Sequence, residues 1–211
     1  GGGGSEREPV ILSVAQFRPE KDHPLQLKAF ARLLELLDKA PLDDGHAQKN
    51  LKLVLLGACR GPDDQARIDA LKKLSVELGV QSRVEFVLNC PFAELQRWLG
   101  RASVGLHTMW NEHFGIGVVE FIAAGVVPVA HATAGPKQDI VVPTVEEDPG
   151  KGVGYLASDV EEFANAMQSA LRLTPEARRG VVERARVRSH HFSDGKFALA
   201  FEYSCAGLFS N

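Results

Sequence analysis

Cysteine is scarce and scattered. Cys59, Cys90 and Cys205 are the only three in 211 residues. They are odd in number and lack C-x-x-C spacing, which excludes a disulfide framework and a thiolate zinc site and suits a reducing compartment. Long apolar runs are missing too. The longest, Val118 to Ala132, is broken by Glu120, Gly125 and Pro128, short of the roughly 18 uninterrupted apolar residues that mark a membrane-spanning helix. The chain by itself is therefore expected to be soluble, with no transmembrane segment. Nor is there an excess of positive charge: a net charge of −3 and a pI near 6.2 provide no general attraction to nucleic acid or acidic membranes. Clustered metal ligands are also lacking. Asp43-Asp44, Asp63-Asp64 and Glu146-Glu147-Asp148 have no D-x-D spacing and read as solvated turns, so no metal site is expected.

Repeats and low-complexity segments are absent after residue 5. Gly1 to Ser5, Gly-Gly-Gly-Gly-Ser, reads as a linker or fusion scar, leaving residues 6–211 as one domain. With 45% hydrophobic and 24% charged residues, that domain has the composition of a globular protein able to bury a sizeable core.

The domain alternates short apolar segments with amphipathic ones. Strands are expected at Val10–Val14, Leu51–Leu56, Val84–Leu88, Val104–His107 and Val126–Ala130, with a sixth over Val153–Leu156. The spacing predicts helices over Pro24–Leu37, with Leu27, Phe30, Leu34 and Leu37 on one face, and over Gln65–Leu78, stopped by Gly79. Phe92–Gly100 is a third, packing Phe92, Leu95 and Leu99. Ser158 with Glu161 reads as a capping box for a further helix, Thr174-Pro175 opens another, and a last one is expected from about Ser193 to Phe209. Ala40–Asn50 reads as a polar loop. Near-continuous apolar strands between amphipathic helices imply an α/β fold with a parallel sheet covered on both faces, Rossmann-like and doubly wound.

In such a sheet ligands bind in the loops beyond the carboxyl ends of the strands. The first of these loops is Gln16-Phe17-Arg18-Pro19-Glu20-Lys21-Asp22-His23. The fourth carries Glu112 and leads through Gly115-Ile116-Gly117 into an apolar helix that contains Glu120 and ends at Gly125. A helix start presents unpaired backbone N–H groups to an anion. Lys21 and Arg18 could then neutralise a diphosphate while the amides of Ile116 and Gly117 bond its oxygens. Glu112 lies at the mouth of this helix and Glu120 roughly 7 to 8 Å along it, so one ligand could touch both. Carboxylates accept well from paired sugar hydroxyls, which fits a nucleotide sugar with ribose at one Glu and hexose at the other. Two acids of a glycoside hydrolase are the rival, but such pairs usually come from separate strands.

For His107, His113 and His131, packing or supporting roles are expected over ligation, and His190-His191 suits a helix end. Trp98 and Trp110 are expected in the core, with an interface or acceptor-facing role as the alternative.

The motif Glu112-x7-Glu120, with Phe114-Gly115 after the first Glu and Ala123-Ala124-Gly125-Val126-Val127-Pro128-Val129 after the second, resembles the carboxyl-terminal half of family 4 GT-B glycosyltransferases. The resemblance extends from the first strand through Ala132-Thr133-Ala134-Gly135-Pro136 to the final helices. Within the family, Gln16 to Pro24, Leu106 to Glu120 and Gly135 to Pro143 are most similar to the branch that uses GDP-mannose to extend dolichol-linked oligosaccharides. The resemblance implies transfer of mannose, with retention, from GDP-mannose to a lipid-linked oligosaccharide at the cytosolic face of the endoplasmic reticulum membrane.

By position, the resemblance makes Glu112 the catalytic contact to the donor mannose and Glu120 the holder of the ribose hydroxyls. Lys21 binds the diphosphate. The family usually has Arg where this chain has Gln16, and Arg18 is the candidate replacement. Phe114, Gly115, Ile116 and Gly117 complete the donor site, and the base lies by Asn89 and Cys90. The leaving diphosphate itself helps deprotonate the acceptor hydroxyl, so no cofactor and no general base are implied. Acceptor groups belong to an amino-terminal domain that this chain lacks, and the isolated half is expected to be inactive as a transferase. The alternatives are a non-catalytic Rossmann-like interaction module, or a family 4 transferase that uses another nucleotide sugar.

Overall fold

A computed structural model of the chain describes residues 7–110, 115–133, 141 and 152–190. The elements in order are β1 (Glu8–Val14), a 3-10 turn (Pro19–Lys21), α1 (His23–Lys39), α2 (Gly45–Asn50), β2 (Lys52–Gly57), α3 (Pro62–Glu77), a second 3-10 turn (Gln81–Arg83) and β3 (Val84–Leu88). They continue with α4 (Phe92–Arg101), β4 (Ala102–His107), α5 (Ile116–Ala124), β5 (Val127–His131), β6 (Tyr155–Ala157), α6 (Val160–Leu171) and α7 (Pro175–His190). The strands form one sheet in the order β3-β2-β1-β4-β5-β6, every pairing parallel. This is the expected doubly wound α/β fold.

Alternate strand residues feed opposite layers, which is why both parities are apolar. Ile11, Leu53, Leu55, Val104 and Leu106 pack with Leu27, Phe30 and Leu33 of α1 and Phe163 and Met167 of α6. Val10, Leu12, Val54 and Leu56 face the other way, onto Leu95 and Trp98 of α4 and Phe121 of α5. A third cluster joins Val118, Val119 and Ile122 of α5 to Ala130 and to Ala185 of α7.

The expected strands are present with ends shifted by one or two residues, and Gly79, at φ 69°, follows α3 in the left-handed conformation a helix stop favours. Several local expectations are corrected. Ala40–Asn50 is not all loop: Asp44 Oδ1 accepts from the His46 N–H at 2.8 Å and caps α2, a helix that buries no residue and so leaves no apolar period. Asp63-Asp64 is not a loop turn but lies in the first turn of α3, which starts at Pro62 rather than Gln65. The capping box is one residue later than expected: Asp159 accepts from the Glu162 N–H at 2.9 Å and Glu162 from the Ser158 N–H at 2.8 Å. On α1 it is Leu33, not Leu34, that is fully buried. β6 begins at Tyr155 rather than Val153, after Gly154, whose added Cβ would lie 2.5 Å from Pro128 Cγ. Trp98 is core as expected, whereas Trp110 is 60% exposed. The expected helix over 193–209 lies outside the described residues.

Candidate functional site

After β1 the chain runs outward through β2 to β3, then returns to lay β4 on the other edge of β1. The helices that follow β1 and β4 pack on opposite faces of the sheet, which makes this the switch point beyond whose carboxyl ends ligands of open α/β sheets bind in a crevice. Gln16, Arg18 and Lys21 lie on the β1 side, with Gly115, Ile116, Gly117 and Glu120 beyond β4. Glu112 and Phe114 lie outside the described residues.

The β1 wall is tightly folded. Phe17 is buried and its ring stacks on His23 at 4.9 Å. Arg18 is exposed and Gln16 half-buried. The turn ends at Asp22, which adopts φ 47° and caps α1 by accepting from the Leu25 N–H at 3.2 Å. Lys21 is half-buried, with Nζ 3.0 Å from Met109 Sδ in the segment after β4, which carries the cation across to the second wall. Burial, followed by the repulsion of Lys21, pushes His23 down to about 4. The imidazole is therefore neutral at physiological pH and contributes no charge here.

The second wall begins at Gly115, whose φ of 82° glycine adopts without strain. It caps α5 without a side-chain bond, and the amides of Ile116 and Gly117 precede the first intrahelical bonds, which run from Val118 and Val119 to the Gly115 carbonyl. Glu120 lies on α5 among buried Val118, Val119, Phe121 and Ile122. Burial alone raises its carboxyl to about 7, and among the described residues no side chain pairs with it. A desolvated carboxylate of this kind gains from hydroxyl donors.

Behind the crevice lies a polar network that sequence reasoning missed. Gln26 and Thr108 are each 1% exposed; Gln26 Nε2 donates to Thr108 Oγ1 at 2.8 Å, and Thr108 Oγ1 donates to the Lys21 carbonyl at 2.6 Å. His131 Nδ1 lies 3.0 Å from Thr133 Oγ1, which donates in turn to the Trp110 carbonyl. His131 is lowered chiefly by burial, an effect that Asp22 opposes and His107 reinforces. The signal for Gln26 was available: His23, Gln26, Phe30, Leu33 and Leu37 recur at spacings of three and four, so two polar residues sit on the buried stripe.

Cys90 lies two strands away, at the end of β3, 8% exposed in the cluster around Val10 and Leu95. Burial raises its thiol, which keeps it protonated. Asn89 beside it adopts φ 52°. Its side chain exchanges two hydrogen bonds with the Cys59 backbone at 2.9 and 3.1 Å, clamping the loops after β2 and β3 together.

A cavity of about 1280 Å³ lies at the opposite, amino-terminal end of the sheet. Two of its arginines are used structurally: Arg7 donates to the carbonyls of Leu99, Ala102 and Ala124 at 2.9, 2.6 and 2.5 Å, and Arg178 to Ser103 and Ala170 at 2.9 and 2.8 Å. Among the described residues no group of three or more His, Cys, Asp or Glu is arranged to hold a metal ion, and no helix is long and apolar enough to cross a membrane.

The sequence profile of the family described as glycosyl transferases group 1 matches residues 3–188. A Xenopus laevis protein named GDP-Man:Man(3)GlcNAc(2)-PP-Dol alpha-1,2-mannosyltransferase is 48% identical over 202 residues, which cover 96% of this chain and 39% of that protein. A Homo sapiens protein of the same name is 46% identical, covering 95% and 39%. The chain thus spans about two fifths of the length of these relatives. Among solved structures, Anabaena HepE with UDP and glucose superposes with a TM-score of 0.70 at 19% identity, over 95% of this chain and 49% of that one. WaaG, a glycosyltransferase of lipopolysaccharide biosynthesis, does so at 0.66 and 20% identity, over 99% and 49%. At these identities the likeness is one of fold: the sheet matches one half of GT-B glycosyltransferases.

Proposed function

The chain belongs to the group 1 glycosyl transferases, and from that premise we propose that residues 6–211 are the donor-binding half of a retaining mannosyltransferase. It takes GDP-mannose and serves a dolichol-diphosphate-linked oligosaccharide acceptor at the cytosolic face of the endoplasmic reticulum membrane. The names of the relatives support the substrates. The observation that carries the site is Glu120, a carboxylate raised to about 7 by burial, without a side-chain partner among the described residues, on the helix that opens at the crevice.

In this reading Glu120 accepts from the two ribose hydroxyls. The diphosphate lies between Lys21 and the amides of Ile116 and Gly117, with Arg18 at the rim and Gln16 where a second cation is usual. Phe114 and Gly115 flank the sugar, and Glu112 contacts the mannose near its reacting carbon. The protein's part in catalysis is electrostatic: Lys21 and the helix start stabilise the negative charge that develops on the departing diphosphate, and that diphosphate accepts the acceptor's proton on the face it leaves. The acceptor is held by the amino-terminal half of the full protein, so this chain alone binds donor without turning it over.

Calorimetry tests the proposal. GDP and GDP-mannose are expected to bind, with UDP and ADP weaker, and Lys21→Ala and Glu120→Ala each to lower affinity by about 10- to 100-fold, the worth of a hydrogen bond to a charged group. Unchanged binding in both variants overturns the site; a preference for UDP overturns the donor but not the family.

A further inference from the structure

Lys21 leaves β1 on a loop that has to hold an unusual shape. The 3-10 turn Pro19–Lys21 runs directly into Asp22, a non-glycine residue at φ 47°, a conformation that persists only where the surroundings enforce it. On the β2 side the loop is held by the Ala15 N–H, which donates to the Leu56 carbonyl at 3.0 Å. On the β4 side a hydroxyl ties it down. Thr108 follows β4 immediately, is 1% exposed, and directs Oγ1 to the Lys21 carbonyl at 2.6 Å; the Asp22 carbonyl lies farther off at 3.4 Å. A threonine hydroxyl has a single proton. With that proton given to Lys21, Oγ1 is left as an acceptor, and Gln26 Nε2 of α1 fills that role at 2.8 Å. The direction of the chain is thus set from Gln26 through Thr108 to Lys21. The ammonium of the same lysine meets Met109, the neighbour of Thr108, at 3.0 Å. Backbone and side chain of Lys21 are referenced to two consecutive residues of the opposite wall.

We propose that Thr108, oriented by Gln26, is a positioning residue for donor binding: it fixes the Lys21 backbone across the switch point so that the ammonium is set for the diphosphate before the ligand arrives. This rests on the role given to Lys21 above. A cation held in place loses less freedom on binding, so the latch acts on affinity through Lys21 and not through a contact of its own with the nucleotide.

The test is a double-mutant cycle read by GDP titration on the full 211-residue chain, with thermal unfolding alongside. Thr108→Val keeps the shape and removes the hydroxyl; Thr108→Ser keeps the hydroxyl. Lys21→Met is expected to weaken GDP about 10- to 100-fold and Thr108→Val about fivefold. The double variant should bind within about twofold of Lys21→Met alone, because the hydroxyl is bonded to the Lys21 backbone itself. Thr108→Ser should bind like wild type even if its melting temperature falls. Four results bear against the proposal. Full additivity of the two substitutions overturns it, as does wild-type affinity in a folded Thr108→Val. Thr108→Ser binding as weakly as Thr108→Val also overturns it, since the hydroxyl is then not the cause. Unchanged affinity in Lys21→Met is distinct: it overturns the phosphate role of Lys21, and the latch falls with it.

Discussion

Glu120 is half-buried and His23 buried, and the pH responses of the two run in opposite directions. The Glu120 carboxyl is raised from 4.5 to about 7, so its favourable protonated state is fully present below pH 4.5 and is lost as pH rises through about 7. His23 is lowered from 6.5 to about 4, so its favourable neutral state is present above pH 6.5 and is lost as pH falls through about 4. Each shift corresponds to about 3 kcal/mol at 1.36 kcal/mol per unit, and between roughly pH 4.5 and 6.5 the two slopes offset one another. Removing either group uncovers the other. In urea unfolding at a series of pH values, Glu120→Gln should lose stability steadily below pH 6.5, while His23→Gln should lose it on going from pH 4.5 to 7. Parallel pH profiles in the two variants and wild type would show that neither group is desolvated as described. If Glu120 holds ribose as proposed, the same burial ties stability to binding, because the ionised form that accepts from hydroxyls is the one the empty fold disfavours.

At the scale of elements, α5 is set against the sheet by a glycine. A Cβ added to Gly105 of β4 would lie 2.4 Å from ring carbons of Phe121, which is 1% exposed, so the ring rests directly on the strand. Gly105→Ala should cost about 1 to 3 kcal/mol by overpacking and, on the proposed donor site, weaken GDP binding by displacing the helix that carries Glu120. Gly100→Ala in α4, where nothing lies within 4 Å of an added Cβ, should be neutral or stabilising in the same denaturant titration, since alanine favours a helix over glycine. What the chain revealed beforehand follows the same division between local and long-range causes. Strands were legible because parallel strands covered on both faces are apolar throughout, and the α5 start because Gly115-Ile116-Gly117 marks a turn by composition. The α2 helix was hidden because its six residues, Gly45–Asn50, bury nothing and carry no apolar period, and the Asp159 cap because Ser158 is an equally good capping type. In the candidate site, Lys21 and Glu120 stood out as charges in a loop and in an apolar run. The bond from Gln26 to Thr108 joins residues 82 apart, and the exposure of Trp110 depends on the path of the chain after β4; neither leaves a mark in local spacing.

The whole molecule depends on ties made far along the chain. Arg7 reaches three carbonyls 92, 95 and 117 residues away, at the ends of α4 and α5, and burial together with the repulsion of Arg186 lowers its own pKa. Arg7→Met keeps much of the apolar stem but leaves those carbonyls without their donor, and should cost roughly 3 kcal/mol or more in urea unfolding; a loss below about 1 kcal/mol would show that the carbonyls find other partners. The strand order has a related consequence for synthesis of the protein. β1 lies inside the finished sheet, but β2 and β3 are both added on one side of it, so until β4 emerges β1 presents a long apolar edge, the feature by which sheets aggregate. About 20 residues separate the end of β3 from the end of β4, roughly 1 to 4 seconds of translation. One event then serves two ends: as β4 covers that edge it brings Thr108 to the Lys21 carbonyl, so the nascent chain loses its sticky edge as the first tie between the two loops forms.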